Sequence, residues 1–560
     1  MRSISKHTAR YFFTICLFCF SQTLAIAQQG NEYIEMRGLS LQVEGLPTNQ
    51  EQIIWERLPQ LNGDQITIFE GEENVSAFNH HPTIIFYKDR FFAAWSNGAK
   101  DEDASGQRVM YTTSKDGFNW DKVSYMTDSI TDRAHTPGGF WVRDGQLFAL
   151  VSLRDSRGSS FNSDRNPLLS YRWNTEKAIF EYSGIIARNF FSVDGPRLVS
   201  GGQKWIMFGK PGFRSAHPEE PVRIATTITD SIDEWVFKPL PNKEVPHDAF
   251  WYTLPDGRLM TIEAKGDVPN RHLISMYSND EGDSWSQPES SNFPDADSRL
   301  YGLRLSNGLY VILNNPNLLR YRIPLSIAIS GDGENFNHFA NIRIEQTNKE
   351  YSGHAKAPGY QYVRAFEHDN KLWVIYSVNK EDIEITAISL DEIERFYESV
   401  QKYHVGNPSV EIVVDNQGNG FETDSPWSVD TATGIFDGVE MGYYGNNYSY
   451  RNSTDEETEG WAKWSPEITK SGIYSIYMNW ATVGFGSSSP MSDTAPIEIK
   501  HSEGIHRSTV DQSRYGGSWI YLGAFNMNAG DDEAYVKVYS TKNGRTVADA
   551  VKFIMTNHKK

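Results

Sequence analysis

Residues 142–151 read "VRDGQLFALV", an Asp-Gly turn running into an apolar strand. Asp-Gly suits the left-handed backbone pair of a type I′ turn, whose twist matches that of two paired strands. The same unit recurs as "YKDRFFAAW" (87–95), "VSGGQKWIMFG" (199–209) and "LPDGRLMTIEA" (254–264), then as "LSNGLYVILNN" (305–315) and "EHDNKLWVIYS" (367–377). The spacing is about 50–60 residues, which in an all-β chain implies one four-stranded sheet per repeat, stacked radially as propeller blades. Six repeats are plain between residues 80 and 395. Strand-like stretches within residues 33–71 are expected to complete a further blade with the last strand, "IEITAISL". Closure from both ends hides the sheet edges, so of six or seven blades, seven is the expected count.

A second element follows the first at a fixed offset: "SKDGFNW" from Ser114, "SNDEGDSW" from Ser278, "SGDGENF" from Ser330 and a degraded "TDSIDEW" from Thr229. It resembles the Asp-box of sialidase-like propellers, which implies a peripheral hairpin clasp with no catalytic part. The Asp accepts backbone N–H bonds in a tight turn and the Trp packs beneath it.

The chain has 560 residues and begins with the layout of a secretory signal. Arg2, Lys6 and Arg10 precede an apolar run, and Ala25-Ile26-Ala27 offers a cleavage site before Gln28. Residues 1–27 are read as the signal peptide and the protein as secreted or periplasmic. The run is too short to span a bilayer. Phe18 stands before Cys19 where a lipid-anchor site needs a small residue. Both cysteines fall inside this signal, so the mature chain is expected to have no disulfide, thiolate metal site or Cys nucleophile. No cofactor is expected, and a structural Ca²⁺ site is not legible in the sequence. The net charge of −19 disfavours nucleic acid and anionic membranes. A polyanionic substrate would need a local cluster of Arg, Lys and His to overcome that repulsion.

Residues 28–400 are assigned to the propeller. After a short helix at "SLDEIERFYESV" the period is lost, and residues 409–557 alternate apolar and polar between Gly, Asn and Asp turns, as in a β-sandwich. Residues Val414-Asp415-Asn416, Tyr443-Tyr444-Gly445, Val510-Asp511-Gln512, Gly516-Gly517, Trp519 and Val547-Ala548-Asp549-Ala550-Val551 resemble the golvesin C-terminal-like domain. That resemblance implies an accessory domain of the kind appended to secreted polysaccharide lyases such as xanthan lyase, either attaching glycan or supporting the propeller.

A propeller draws its function from loops at one mouth of the channel, where each innermost strand begins. The entrances carry Asn79, His80 and His81; Arg133 and His135; Asp194 and Arg197; His247, Asp248 and Tyr252; Arg299, Tyr301 and Arg304; and His354, Lys356, Gln361, Tyr362 and Arg364. Glu263 follows in the next strand of its blade, and Arg154 stands in "SLRDSRGSS", where pairing with Asp155 on a solvated loop is the alternative. The regular placement suggests a ring of cationic and phenolic groups facing one ligand, an acidic oligosaccharide or polysaccharide. Asn79, Arg133, Arg154, Asp194, Arg197, Glu263, Arg299, Tyr301, Arg304, Gln361 and Tyr362 are the candidate substrate-binding residues, and no residue is assigned to a metal. Arg binds a uronate carboxylate or sulfate bidentately. With the carboxylate neutralised, a His or Tyr removes the adjacent carbon-bound proton and a second group protonates the leaving oxygen. A hydrolase needs a carboxyl pair instead, and Asp194, Asp248 and Glu263 are the candidates.

Residues 78–395 look like the BNR-repeat, sialidase-like propellers of bacterial polysaccharide utilisation. The sialidase Phe/Tyr-Arg-Ile-Pro motif is replaced here by "NHHPTIIF", and the lone Arg-Ile-Pro, at Arg322, lies in blade five. The Asn-His entrance is more similar to the propeller ulvan lyases and rhamnose–glucuronate-cleaving propellers. That resemblance implies a central catalytic His, here His80 or His81, assisted by Arg, Tyr and a further His. "AAWSNGAKDED" lacks that second His, so His135 stands in, with Tyr252 as the catalytic phenol. Strand alternation turns one of His80 and His81 toward the channel. The expected function is β-elimination in rhamnose- and uronate-containing, ulvan-like glycans. The alternatives are a rhamnosidase- or sialidase-like hydrolase and a non-catalytic glycan-binding propeller.

Overall fold

The computed structural model describes residues 41–43, 46, 55–159, 166–199, 202–210, 223–229, 231–241, 249–264, 271–317, 322–353, 355–399, 410–436, 439–452, 460–483, 490–531, 533–542 and 544–555. The signal-like residues 1–27 and the candidates His247, Asp248 and His354 lie outside them.

Six of the sheets are four-strand-deep antiparallel meanders, and each innermost strand starts at the same mouth. Blade one runs Phe78–Tyr87, Arg90–Gly98, Arg108–Ser114 and Ser124–Tyr125. The innermost strands of blades two, four, five and six are Arg133–Arg143, Phe250–Thr253, Tyr301–Arg304 and Tyr360–His368. That of blade three is broken into Phe191–Ser192 and Arg197–Leu198. The turns behave as their residues require: Asp144 and Gly145 have φ of 49° and 71°, and Asp369 and Asn370 have 51° and 57°.

Six blades are present among the described residues rather than the expected seven. Asp64–Phe69 does pair with Asp382–Ser389, but as the outermost strand of blade six. Closure needs only one borrowed strand, because the last repeat supplies three of its own. Upstream, Gln42–Val43 lies parallel to Asn335–Phe336 of blade five, and Asn292 of blade four bonds both backbone groups of Val43. This segment staples two blades together instead of building another.

The clasps have the expected form. Asp116 Oδ1 accepts the N–H of Phe118 and Asn119 at 2.9 and 2.7 Å, and Asp332 Oδ1 accepts those of Glu334 and Asn335, both at 2.8 Å. The Trp120 indole N–H closes the Asp116 turn by donating to Gly117 O, as Trp285 closes the turn at 278–285 by donating to Gly282 O.

The C-terminal unit is two principal sheets over one core. One holds Glu411–Asp415, Ala550–Met555, Gly472–Asn479 and Ile520–Met527. The other holds Phe421–Thr423, Trp461–Trp464, Tyr535–Tyr539, Ala495–His501 and Gly504–Val510. Ile476, Met478 and Phe553 of the first meet Trp464, Ile497 and Val538 of the second. That core continues into blades five and six and takes in Leu390, Ile393 and Phe396 of the helix Leu390–Ser399.

Asp549, in the "VADAV" stretch, is fully buried, and its Oδ2 accepts the Tyr444 N–H at 2.9 Å. Burial lifts its carboxyl to about 8, with the nearby Asp415 charge adding to the rise. The native state therefore holds a proton that the unfolded chain releases at ordinary carboxylate pH. The resulting stability is fully present below the unfolded value and is lost as pH rises through about 8. Asp549→Asn keeps an acceptor for Tyr444 and is expected to flatten the fall in melting temperature between mildly acidic pH and pH 8. Melts across that range compare the two chains.

Candidate active site

Asn79, His80 and His81 open blade one, where the pairing with Arg90–Gly98 slips between His80 and Thr83. His81 takes the left-handed φ of 55°, rare for a residue with a side chain and stored at functional sites. The bulge undoes strict alternation. Both imidazoles therefore enter one cluster, with ring centroids 4.4 Å apart, rather than only one facing the channel. Blade six repeats the device: Tyr362 has φ of 55° at a slip between Gln361 and Arg364, and its ring lies 4.1 Å from that of His80.

His80 is wholly buried. Its Nδ1 is 2.7 Å from Ser377 Oγ, which donates its own hydrogen to Gln361 O at 3.3 Å. The network thus assigns the ring hydrogen to Nδ1, leaving Nε2 as a lone pair with no partner among the described residues. His81 is the opposite tautomer: its Nε2–H faces Glu102 Oε1 at 3.2 Å, while Nδ1 meets Ser96 Oγ at 3.2 Å. Glu102 Oε2 takes Lys380 Nζ at 2.7 Å.

Three cations surround the Tyr362 ring: Arg299 at 4.9 Å, Arg322 at 5.3 Å and Lys380 at 5.8 Å from its centroid. Arg322 is held by the Gln361 side-chain oxygen and by Asp297 O at 3.4 Å. Burial holds the His80 imidazole well below its usual range, and the charges of Lys380, His81 and Arg322 push the same way. Burial takes His81 to about 4, against the pull of Glu102. Burial alone would raise the Glu102 carboxyl, but Lys380 and the His81 bond hold it well below the carboxylate range. At neutral pH the site is two neutral imidazoles, one carboxylate and a surplus of fixed positive charge.

The ligand atoms of His80, His81 and Glu102 lie within 4.8 Å of one another, a spacing that could hold a metal ion. Lys380 already neutralises Glu102, and Arg299 and Arg322 face the same space, so the surroundings suit an anion better than a second cation.

Of the expected site residues, His80, His81, Arg299, Gln361 and Tyr362 meet here. Arg154 joins through its ion pair with Asp103, and its charge reaches His81. A neighbouring cluster gathers Asp194, Arg197 and Tyr301. Arg197 bonds Asp194 at 2.9 Å and Trp251 O at 2.9 Å and lies 4.7 Å from the Tyr301 ring centroid. Arg364 crosses the channel from blade six to donate to Val193 O of blade three at 2.6 Å. Burial raises the Tyr301 phenol, with Arg197 opposing, so it remains a hydrogen donor.

Other candidates serve the scaffold. Tyr252 donates to Gly333 O at 2.6 Å within an apolar cluster, because it sits two residues past the start of its strand and meets the clasp of blade five. It is not a catalytic phenol. His135 shares a strand face with Arg133. Its Nδ1 lies 3.3 Å from Gln107 O, and it feels Arg133 and Asp128 rather than the histidine pair. The face toward Arg154 belongs to Thr136. Arg133 is committed to a buried pair with Asp155 at 2.8 Å. Arg304 is exposed over Tyr310, at the far end of its strand. Asn79 donates to Ser76 O and Glu381 O and accepts from Trp95 and Asn97, which saturates its amide and fixes the turn bearing Lys380. Glu263 is fully buried, in the second strand of blade four.

Glu102, Asp103, Arg322 and Lys380 were absent from the expected site. All lie on loops between second and third strands, which return to the same mouth as the entrances. The acidic run "KDED" at 100–103 and the Arg-Ile-Pro at 322 were the available signals.

Residues 226–381 match the BNR repeat-like domain and residues 412–555 match the Golvesin C-terminal domain. A xanthan lyase of Bacillus sp. (strain GL1) is 26% identical over 153 residues, covering 27% of this chain and 15% of that protein. Among solved structures, a sialidase aligns over 90% of this chain and 49% of its own, at 16% identity and a TM-score of 0.44. Trypanosoma rangeli sialidase in complex with sialic acid aligns over 90% and 92%, at 13% identity and a TM-score of 0.43. An α-L-arabinofuranosidase of Fusarium graminearum aligns over 59% and 98%, at 13% identity and a TM-score of 0.40. The chain joins a β-propeller that matches the BNR repeat-like domain over residues 226–381 to a C-terminal β unit that matches the Golvesin C-terminal domain.

Proposed function

We propose that the protein is an exported polysaccharide lyase that cleaves uronate-containing, rhamnose-bearing glycans by β-elimination. The observation that carries this reading is the buried, unpartnered His80 Nε2 lone pair beside Tyr362, ringed by Arg299, Arg322 and Lys380. The similarity to a segment of a xanthan lyase supports the same class. The signal-like N-terminus supports export.

In this mechanism the three cations seat the uronate carboxylate and stabilise the negative charge that develops on it. His80 Nε2 takes the proton from the carbon beside the carboxylate. The electron pair released forms the C=C bond as the bond to the leaving glycosidic oxygen breaks, and the Tyr362 hydroxyl gives that oxygen its proton. His81 and Glu102 hold Lys380 in position.

Incubation with acidic polymers such as ulvan tests the reading. The ultraviolet absorbance of an unsaturated uronate supports elimination. New reducing ends without it identify a hydrolase, and retention without cleavage a binding propeller.

Burial is the main cause that depresses His80, and the charges of Lys380 and Arg322, which a bound carboxylate neutralises, add to it. The free site's base therefore titrates well below the usual imidazole range and the occupied site's base titrates higher. The acid limb of kcat/KM is expected at lower pH than the acid limb of kcat, because the first reports the free protein and the second the complex. Coincident limbs would remove His80 as the base.

A further inference from the structure

The second cluster at the mouth stands directly against the first. Arg299 and Tyr301 are two residues apart at the entrance of blade five, and Tyr362 and Arg364 are two apart in the inner strand of blade six. Arg299 lies 4.9 Å from the Tyr362 ring centroid, and Arg364 lies 5.0 Å from that of Tyr301. Arg364 also donates to Leu300 O at 3.3 Å, the carbonyl between the two blade-five side chains. The clusters are therefore consecutive guanidinium–ring contacts across one seam. A polymer seated at Tyr362 and running along that seam meets Tyr301 next.

The two contacts differ in what they offer a ligand. Arg364 is 5% exposed and is spent on the carbonyls of Val193, Leu300 and Val363. Asp194 and Arg197 keep 21% and 25% exposure and Tyr301 is half-buried, so these three are the groups a ligand reaches. Asp194 Oδ1 accepts the Gly195 N–H and Oδ2 accepts Arg197, both at 2.9 Å, which leaves each oxygen a further lone pair. Arg197 is held by that carboxylate and by Trp251 O at 2.9 Å. Charge is thus balanced within the pair, whereas the first cluster sets Arg299, Arg322 and Lys380 against Glu102. An anion placed here would meet the Asp194 carboxylate at close range. Hydroxyls fit it better: the carboxylate accepts, Arg197 donates, and the Tyr301 ring covers an apolar sugar face.

We infer that Asp194, Arg197 and Tyr301 form a second subsite that takes an uncharged sugar by its hydroxyls, next to the uronate seat at Tyr362. The inference rests on the reading of the ligand as an acidic glycan. It makes the mouth selective for a polymer in which uronates alternate with uncharged sugars, and Asp194 is the group that rejects a second uronate.

The test uses the full chain, Asp194→Asn and Tyr301→Phe with two probes. Desulfated ulvan alternates uronates with uncharged sugars, and polygalacturonate carries a charge on every unit. Equilibrium binding of each probe, ultraviolet absorbance on incubation and thermal unfolding are measured. The parent chain is expected to bind desulfated ulvan at least tenfold more tightly than polygalacturonate. Asp194→Asn should weaken the first by about tenfold, the scale of one charge-assisted contact, without weakening the second. Tyr301→Phe keeps the ring between Arg197 and Arg364 and loses only the hydroxyl. It should weaken desulfated ulvan about threefold and leave polygalacturonate unchanged, and it carries the test if Asp194→Asn does not fold. Equal binding of both probes by the parent overturns the inference while leaving the acidic-glycan reading intact. An equal loss for both probes in a folded variant also overturns it, since the cluster would then only support the first seat. If the preference and its narrowing are seen without new absorbance, the inference stands and the lyase reading fails. No binding of either probe by the parent overturns both.

Discussion

His80→Ala is expected to lower kcat by about 10²–10⁴-fold, the range of a lost general base, while the folded chain keeps its melting cooperativity. The side chain removed is neutral, makes one bond, to Ser377, and leaves the cation ring around Tyr362 in place. Substrate binding should therefore survive, and the loss should fall on kcat more than on KM. His81→Ala has a different signature. It takes away the Nε2–H that faces Glu102 and leaves that carboxylate to Lys380 alone, so Lys380 is drawn from the substrate carboxylate. A rise in KM of about tenfold with a smaller fall in kcat is expected, the size of one charge-assisted bond. Steady-state kinetics on both variants separate the roles. Near-parental rates in both would remove the histidine pair from the chemistry.

Gly195→Ala is expected to abolish folding. The inner strands of blades two and three touch at Gly139 and Gly195. A Cβ on Gly195 would sit 1.9 Å from Phe140 O, and one on Gly139 2.1 Å from Gly195 N. Each clash is with backbone, so no rotamer relieves it, and blade two would have to leave blade three. The same gap carries Asp194, which receives Arg197 within blade three, and Val193, which receives Arg364 from blade six, so the cost includes the bond across the channel. A loss above about 4 kcal/mol belongs to such packing conflicts. Gly145→Ala provides the contrast. It has φ of 71° and nothing within 4 Å, so only the left-handed backbone penalty of about 1–2 kcal/mol applies. Denaturant titration should show the second variant folded with a reduced midpoint and the first without a native baseline.

The propeller was legible because its signals are local. A type I′ turn such as Asp144-Gly145 and an Asp-box such as 278–285 are dictated by residues a few positions apart. Their repetition announces the blade whatever the rest of the chain does. His80, His81, Arg299 and Tyr362 were legible for a related reason: they stand at strand starts, and strand starts share a mouth. The fate of each entrance residue was not legible. Tyr252 and Arg304 lie only two and three positions into strands of four residues, yet that carries them to the opposite end. His135 and Thr136 differ by one position, and the parity of the strand gives Arg154 to Thr136.

The sequence by itself determined the blade repeat, the clasps, the change of domain near residue 400 and the cationic character of the mouth, since each is a property of neighbouring residues. Tertiary structure decided the number of blades, because one terminal strand suffices to close the ring. It also decided that His80 and His81 act on one side, because a bulge overrides alternation. And it brought Glu102 together with Arg322 and Lys380, both more than two hundred residues further along the chain, because loops between second and third strands return to the mouth where the first strands begin.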